Sequence, residues 1–169
     1  MSNFSLLAQA LRYPYPGQID ELMAQATSLN GHLGSKTFLE FLAMLQPLSL
    51  SEQEELYTRT LDLSPLAAPY VGFHIWGESY KRGTFMADLN QEMKTCRLDL
   101  EGELPDHLRP ILSYLAVVAA PLPELIEVLD PAITAMHKSL KKAEADNPYL
   151  LLFDAISAAC KSLSVEAAS

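Results

Sequence analysis

Apolar residues recur at intervals of three and four along most of this chain, and this spacing constrains its fold more than any other feature. After the segment Glu103-Leu-Pro-Asp-His107, for example, one face carries Leu108, Ile111, Leu115 and Val118. No segment sustains the strict polar–apolar alternation of a half-buried strand, and no hairpin turn joins two β-rich runs. We therefore expect an all-α fold, a single compact domain over residues 1–169 with about eight or nine helices.

Composition and charge argue against two classes of protein, disordered chains and nucleic-acid-binding proteins. Apolar residues make up 49% of the chain and charged residues 20%, which favours a folded core over disorder. The formal net charge of −9 argues against a nucleic-acid-binding protein, because such proteins take much of their affinity from Lys and Arg on phosphates. The charge suits plain solubility, and it also suits a partner with a basic segment.

No segment fits a membrane span or a secretory signal. The most apolar stretch, residues 111–129, is interrupted by Pro121 and Pro123, whereas a span needs about 20 nearly uninterrupted apolar residues. The N-terminus lacks a basic start followed by a long apolar run. Cys96 and Cys160 are far apart in sequence, and free thiols in a reducing cytosol are the simpler interpretation. We expect a soluble cytoplasmic protein without direct membrane insertion.

Capping residues and prolines predict several helix ends. Ser51 and Glu54 fit a capping box that opens a helix running to about Leu61. Asn147 precedes Pro148 and is expected to cap the last helix. Further ends are predicted at Asn30-Gly31, at Asp62-Leu-Ser-Pro65 and, as a kink or a break, at Pro131.

The segment Leu66–Ser79 has no clear period and contains the only tryptophan of the chain, Trp76. It predicts a loop or a short helix rich in aromatic residues. Irregular segments inside helical domains are often functional, yet large apolar side chains usually serve the core. Both an aromatic plug and a binding surface remain open.

The segment Glu103–His107 has the pattern of a helix start. Pro105 suits a first helical turn, and Asp106 is placed to accept a backbone N–H there. His107 is then expected beside Asp106 on an exposed first turn. A capped structural helix explains the pattern, apart from the presence of His107.

The sequence contains few of the motifs that indicate catalysis or metal binding. No phosphate-binding glycine loop, HExxH, CxxC or GxSxG motif is present, so no metal site or nucleophile is indicated by spacing. This inventory favours a binding module over an enzyme. Apolar anchors with Asp62, Glu78 and Asp106 would suit an amphipathic peptide that has a basic end.

Three stretches together resemble the redox-enzyme maturation chaperones of the NarJ, TorD and DmsD type, which include the nitrate reductase delta chain. They are Leu56-Tyr-Thr-Arg-Thr-Leu-Asp-Leu-Ser-Pro65, His74-Ile-Trp-Gly-Glu-Ser-Tyr-Lys-Arg-Gly83 and Glu103-Leu-Pro-Asp-His107. Arg12-Tyr-Pro14 and Asn147-Pro-Tyr149 are also similar, so the likeness spans nearly the whole chain in order. After the signature, Arg109, Pro110 and Ser113 depart from the nitrate-reductase branch.

The resemblance implies an all-helical chaperone that binds the N-terminal leader of a molybdenum oxidoreductase's apo catalytic subunit. Such a protein holds its client in the cytoplasm until the molybdopterin cofactor is inserted, and delays export where a twin-arginine leader exists. The client carries the cofactor, and the chaperone binds none permanently. The candidate peptide-binding residues are Asp62, Tyr70, His74, Trp76, Glu78, Arg82, Pro105, Asp106 and His107.

Two other classes of function compete with the chaperone. A permanent structural subunit of a redox complex would stay in the mature enzyme in fixed stoichiometry. A small helical enzyme would need a pocket with strongly perturbed titratable groups, and no such cluster is visible in the sequence.

Overall fold

The predicted helices are present in a computed structural model of the chain, which describes residues 2–29, 31–32, 34–64 and 67–168. Nine α-helices occur in these ranges: α1 Asn3–Ala10, α2 Gln18–Ala26, α3 Ser35–Leu45, α4 Leu50–Tyr57, α5 Val71–Trp76, α6 Tyr80–Thr95, α7 Leu108–Val117, α8 Pro123–Ala143 and α9 Tyr149–Ala168. A 3₁₀ turn, Thr27–Leu29, follows α2, and a π-helical segment, Thr58–Asp62, follows α4. The all-α prediction is confirmed.

The apolar stripes meet in one core around the last helix. α9 packs against α8 and α3, α7 lies along α1, and α5 lies against α8. Phe153 and Ile156 on α9 are fully buried, and the Tyr149 ring lies 5.2 Å from the ring of Phe41. The end of α4 and the π-helical segment also reach this core, through Leu56, Tyr57 and Leu61.

The start of α4 differs from the prediction. The capping box is Ser49 with Glu52, not Ser51 with Glu54. Both pairs fit the same spacing, but the earlier pair makes both reciprocal bonds. The Ser49 Oγ accepts the Glu52 N–H at 3.2 Å, and the Glu52 carboxylate accepts the Ser49 N–H at 2.7 Å. The helix therefore begins two residues sooner than expected.

At Pro131 a kink or a break was predicted, and the break is wrong, because α8 continues through this residue. A proline inside a helix lacks one N–H and leaves the carbonyl four residues earlier without its partner. Pro131 lies on the exposed side of α8, and so does Glu127. Water can therefore hydrate the unpaired carbonyl of Glu127.

The predicted cap at Asn147 is confirmed. Its Oδ1 accepts the Tyr149 N–H at 2.9 Å, and its Nδ2 donates to the buried Thr60 Oγ1 at 2.8 Å. One side chain thus starts α9 and also ties it to the π-helical segment. The stop predicted at Asp62-Leu-Ser-Pro65 is confirmed, because the π-helical segment ends at Asp62. Pro65 itself, and Asn30 of the stop predicted at Asn30-Gly31, lie outside the described residues.

Within the described ranges, no helix combines the length and the apolar character that are needed to cross a membrane. Cys96 and Cys160 are both free thiols, as predicted.

The cap of α4 can be tested by a matched pair of serine substitutions. Ser49→Ala removes the Oγ that accepts an otherwise unpaired N–H, so the free energy of unfolding should fall by about 1 kcal/mol. Ser51→Ala removes an exposed hydroxyl without a capping role and should change it by less than about 0.5 kcal/mol. Urea denaturation measures both values. Equal losses in the two variants would contradict the assignment of the cap.

Candidate functional site

The segments before α5 and α7 are joined through their backbones. The Val71 N–H donates to the Asp106 carbonyl, and the Leu108 N–H donates to the Pro69 carbonyl, each at 2.8 Å. Tyr70 and His107 therefore form an isolated antiparallel bridge. This bridge brings the aromatic segment and the Glu103–His107 signature together, although they are more than thirty residues apart.

The predicted exposed first turn is wrong. Asp106 has no exposed surface and His107 is only 4% exposed. The physical reason is that α7 begins at Leu108, after the signature, so the signature forms a connection that is covered by its neighbours. The N-cap residue is His107, while Asp106 takes no part in capping and pairs with Arg82 instead.

Arg82 and Asp106 form a buried two-point ion pair. The Arg82 Nε donates to Asp106 Oδ2 at 2.8 Å, and Nη2 donates to Oδ1 at 3.2 Å. Gly72 makes room for this pair, since a Cβ at that position would lie 2.8 Å from Asp106 Oδ2 and 3.0 Å from Arg82 Cγ. The pair thus depends on one residue each from α5, α6 and the segment before α7.

Two aromatic rings complete the surroundings of the Arg82 guanidinium. Its central carbon lies 5.7 Å from the Tyr70 ring centroid and 5.8 Å from that of Phe73. Ring faces at this distance attract a cation, and the attraction grows where water is excluded. Arg82 is thereby held by one carboxylate and two rings, which fixes its side chain. We call Tyr70, Gly72, Phe73, Arg82, Asp106 and His107 together the corner.

His107 is neutral and has a defined tautomer. Its Nδ1 accepts the Arg109 N–H at 3.0 Å, so the ring proton is on Nε2, which lies 3.8 Å from a Glu103 carboxylate oxygen. Burial lowers the pKa of His107 to about 4, against an opposing effect of Glu103. The ring also makes an edge contact with Tyr70, at a centroid distance of 5.1 Å.

Glu103 connects this corner to Asp62. The Tyr70 hydroxyl donates to Glu103 Oε1 at 2.7 Å, and burial together with this carboxylate raises the pKa of Tyr70. The Asp62 side chain is exposed. Partial desolvation and the charge of Glu103 raise the pKa of Asp62. Asp62 therefore lies within electrostatic reach of the corner.

The remaining candidates surround the corner at its outer side. The Nε2 of His74 lies 2.7 Å from the Ala68 carbonyl and donates to it, and burial lowers the pKa of His74. Trp76 is half-buried with its ring 5.0 Å from Phe85. Pro105 is half-buried, and Glu78 is exposed.

The aromatic segment is a short helix at its centre, and it serves the core in part. Val71 is fully buried, whereas Trp76 is partly accessible. Sequence reasoning missed the roles of Gly72 and Glu103. The spacing of Gly72 among aromatic residues was a signal for close approach. No local pattern indicated that Glu103 accepts a hydrogen bond from the hydroxyl of the distant Tyr70.

The chain matches the sequence profile of the nitrate reductase delta subunit over residues 27–146. It belongs to that family. The matched range contains every candidate residue from Asp62 to His107.

Named relatives give the same result. The nitrate reductase molybdenum cofactor assembly chaperone NarJ of Escherichia coli K12 is 34% identical over 119 residues, which is 69% of this chain and 48% of NarJ. NarJ of Escherichia coli O157:H7 gives the same values. The chain thus spans about half the length of the curated relatives it matches.

A crystal structure supports the fold of this family member. A protein of Archaeoglobus fulgidus that is assigned as a redox enzyme maturation protein aligns with a TM-score of 0.65 and 20% sequence identity. The alignment covers 95% of this chain and 91% of that protein. At this identity the likeness concerns the arrangement of helices alone.

The buried ion pair can be tested by removing its carboxylate. Asp106→Ala leaves the Arg82 guanidinium buried without its partner, so the free energy of unfolding should fall by about 3 kcal/mol or more. Asp88→Ala removes an exposed carboxylate from α6 and should change the value by less than about 0.5 kcal/mol. Urea denaturation compares the variants. A loss below about 1 kcal/mol for Asp106→Ala would contradict the importance of the pair.

The depressed pKa of His107 predicts how stability depends on pH. Above pH 6.5 the ring is neutral in both states. As the pH falls from 6.5 towards 4, the unfolded chain takes up a proton that the folded protein does not bind. The free energy of unfolding should therefore fall in this window, by as much as about 3 kcal/mol from this residue.

His107→Asn isolates that contribution, because asparagine is a good N-cap and does not titrate. Urea denaturation at about pH 7 and about pH 4.5 should show a smaller loss in this variant than in the wild type. Equal losses would assign the pH dependence to other groups, such as His74.

Proposed function

We propose that this protein is a chaperone for the catalytic subunit of a molybdenum oxidoreductase. It binds the N-terminal leader of the apo subunit, assists insertion of the molybdopterin cofactor, and then leaves. It acts in the cytoplasm and, where the leader is a twin-arginine signal, delays export. The observation that carries the proposal is membership of the nitrate reductase delta subunit family, with a relative that is named as a molybdenum cofactor assembly chaperone.

The pairing of the charged groups in the corner supports a role in holding structure. Arg82 is paired with Asp106, the Nδ1 of His107 accepts a backbone N–H, and Tyr70 donates to Glu103. Groups that satisfy one another in this way are poorly placed to act on a substrate, since a catalytic acid or base must reach a reacting atom. This arrangement favours a binding protein over an enzyme.

The candidate residues divide into two roles in this proposal. The buried residues Asp106 and His107, with Arg82 paired to Asp106, fix the connection between α5 and α7. The more accessible residues take part in contact with the leader: Asp62, Tyr70, His74, Trp76, Glu78 and Pro105. Substitution of the buried set would then weaken leader binding indirectly, through the shape of the corner.

The proposal is tested by capture of the client at defined stages of maturation. The tagged protein is expressed with a molybdenum oxidoreductase catalytic subunit of the same organism, in cells that make the cofactor and in cells that cannot. The apo subunit should co-purify, and cofactor loading should lower its yield by about tenfold. Deletion of the subunit's N-terminal leader should abolish capture. Purification and mass spectrometry of the mature enzyme provide the comparison.

Two results would contradict the proposal. Presence of this protein in the mature enzyme at one copy per catalytic subunit would favour a permanent structural subunit. Equal capture of the leader-deleted subunit would exclude the leader as the recognised element.

A further inference from the structure

Two open grooves lie on either side of the π-helical segment and share Glu55 and Arg59. The first has a volume of about 450 Å³, and its lining includes Tyr13, Thr58 and Leu63. The second has a volume of about 410 Å³ and is lined in part by Met44, Leu48, Leu56 and Pro148. We call the lining residues of both grooves together the Arg59 surface.

Large apolar side chains are exposed on the Arg59 surface. Leu63 is 74% exposed, Tyr13 is 50% exposed and Met44 is 44% exposed. Single exposed apolar residues are common on proteins, but a group of them around a groove is typical of a site that contacts another molecule. The lining therefore offers apolar anchor sites on both sides of Arg59.

Acidic residues line the same grooves. The first groove carries Glu54 and Glu55, and the second adds Glu52, Glu144 and Asp146. Arg59 is the one basic residue among the described lining residues, and it is already paired. Its Nη2 lies 2.8 Å from a Glu144 oxygen, and its Nη1 lies 3.5 Å from Glu55. The surface thus presents an excess of negative charge beside exposed apolar groups.

Exposed apolar side chains beside an excess of carboxylates favour an amphipathic, basic segment as the occupant of the grooves. An amphipathic helix could place apolar side chains in the grooves, and its Lys or Arg residues would meet the carboxylates. An acidic segment or a nucleic acid would be repelled. Glu144 already accepts from both Nε and Nη2 of the Arg59 guanidinium, which is the kind of contact that an Arg residue of the occupant would make with the other carboxylates.

We propose that the Arg59 surface binds the leader through a segment that is amphipathic and basic. This inference rests on the proposed function and specifies where the leader docks and which chemistry it must have. It extends the leader contacts of the proposed function past Asp62 to a second surface, since the linings of the two grooves include none of the corner residues. Asp62, at the end of the π-helical segment, adjoins the surface next to Leu63.

Binding to single-residue variants tests the docking surface. The probe is a fluorescein-labelled peptide of about 25 residues from the N-terminus of the catalytic subunit that is used in the capture experiment. Leu63→Ser removes an exposed anchor, and Glu55→Lys reverses a carboxylate that both grooves share. Each should weaken binding by about tenfold or more, measured by fluorescence anisotropy. Circular dichroism establishes that both variants fold, as expected for exposed positions.

Matched controls separate the surface from general effects of charge and polarity. Val117→Ser removes an exposed apolar side chain from the end of α7, and Asp88→Lys makes the same charge change on α6. Both should bind the peptide within about twofold of the wild type. A peptide with its Lys and Arg residues replaced by Glu should lose binding to the wild type as well.

The outcomes distinguish this inference from the proposed function. If the leader peptide binds the wild type and all four variants equally, the leader does not dock on the Arg59 surface, while leader binding itself is retained. If Asp88→Lys weakens binding as much as Glu55→Lys, net charge explains the effect, and docking on the Arg59 surface is again contradicted. If the peptide does not bind the wild type, leader recognition fails and the docking surface fails with it.

Discussion

The Asp106 carboxylate is completely removed from water, and the structure around it depends on its pairing with Arg82. An unpaired charge in such a place would cost several kcal/mol, so the two-point geometry and the flanking rings are required together. Gly72 is part of the same requirement, because any side chain there would contact the carboxylate oxygen. Three segments that are distant in sequence are thereby fixed relative to one another.

A buried ion pair of this kind contributes more to a single defined arrangement than to net stability, since its attraction is offset by desolvation. Here the arrangement concerns the junction between α5 and α7. Backbone bonds from Val71 and Leu108 cross the same junction, and Glu103 extends it towards the surface through Tyr70. The signature residues therefore fix the start of α7 against α5 beneath the surface of the protein.

Much of the fold could be predicted from the sequence, because helical spacing and capping are local properties. The helical class and the cap at Asn147 followed from residues a few positions apart, whereas local pattern left a loop or a short helix open for the aromatic segment. The exposure of Asp106 could not be predicted in this way. Its burial depends on Arg82, which is 24 residues away, and on helices that cover the corner. The prediction of Ser51 as the cap of α4, where the structure has Ser49, failed for another reason, because two identical local patterns overlap.

The π-helical segment contains one residue more than an α-helical turn would need. The Leu63 N–H donates to the Thr58 carbonyl five residues earlier at 2.9 Å, so this turn encloses one residue more than an α-helical turn. Removing one residue would let the turn relax to α-helical bonding and would rotate the residues that follow by about 100°. A related chain with one residue fewer in this segment would thus present Asp62 and Leu63 in a different direction. The side chains exposed beside the two grooves would then differ, while the packed core stayed the same.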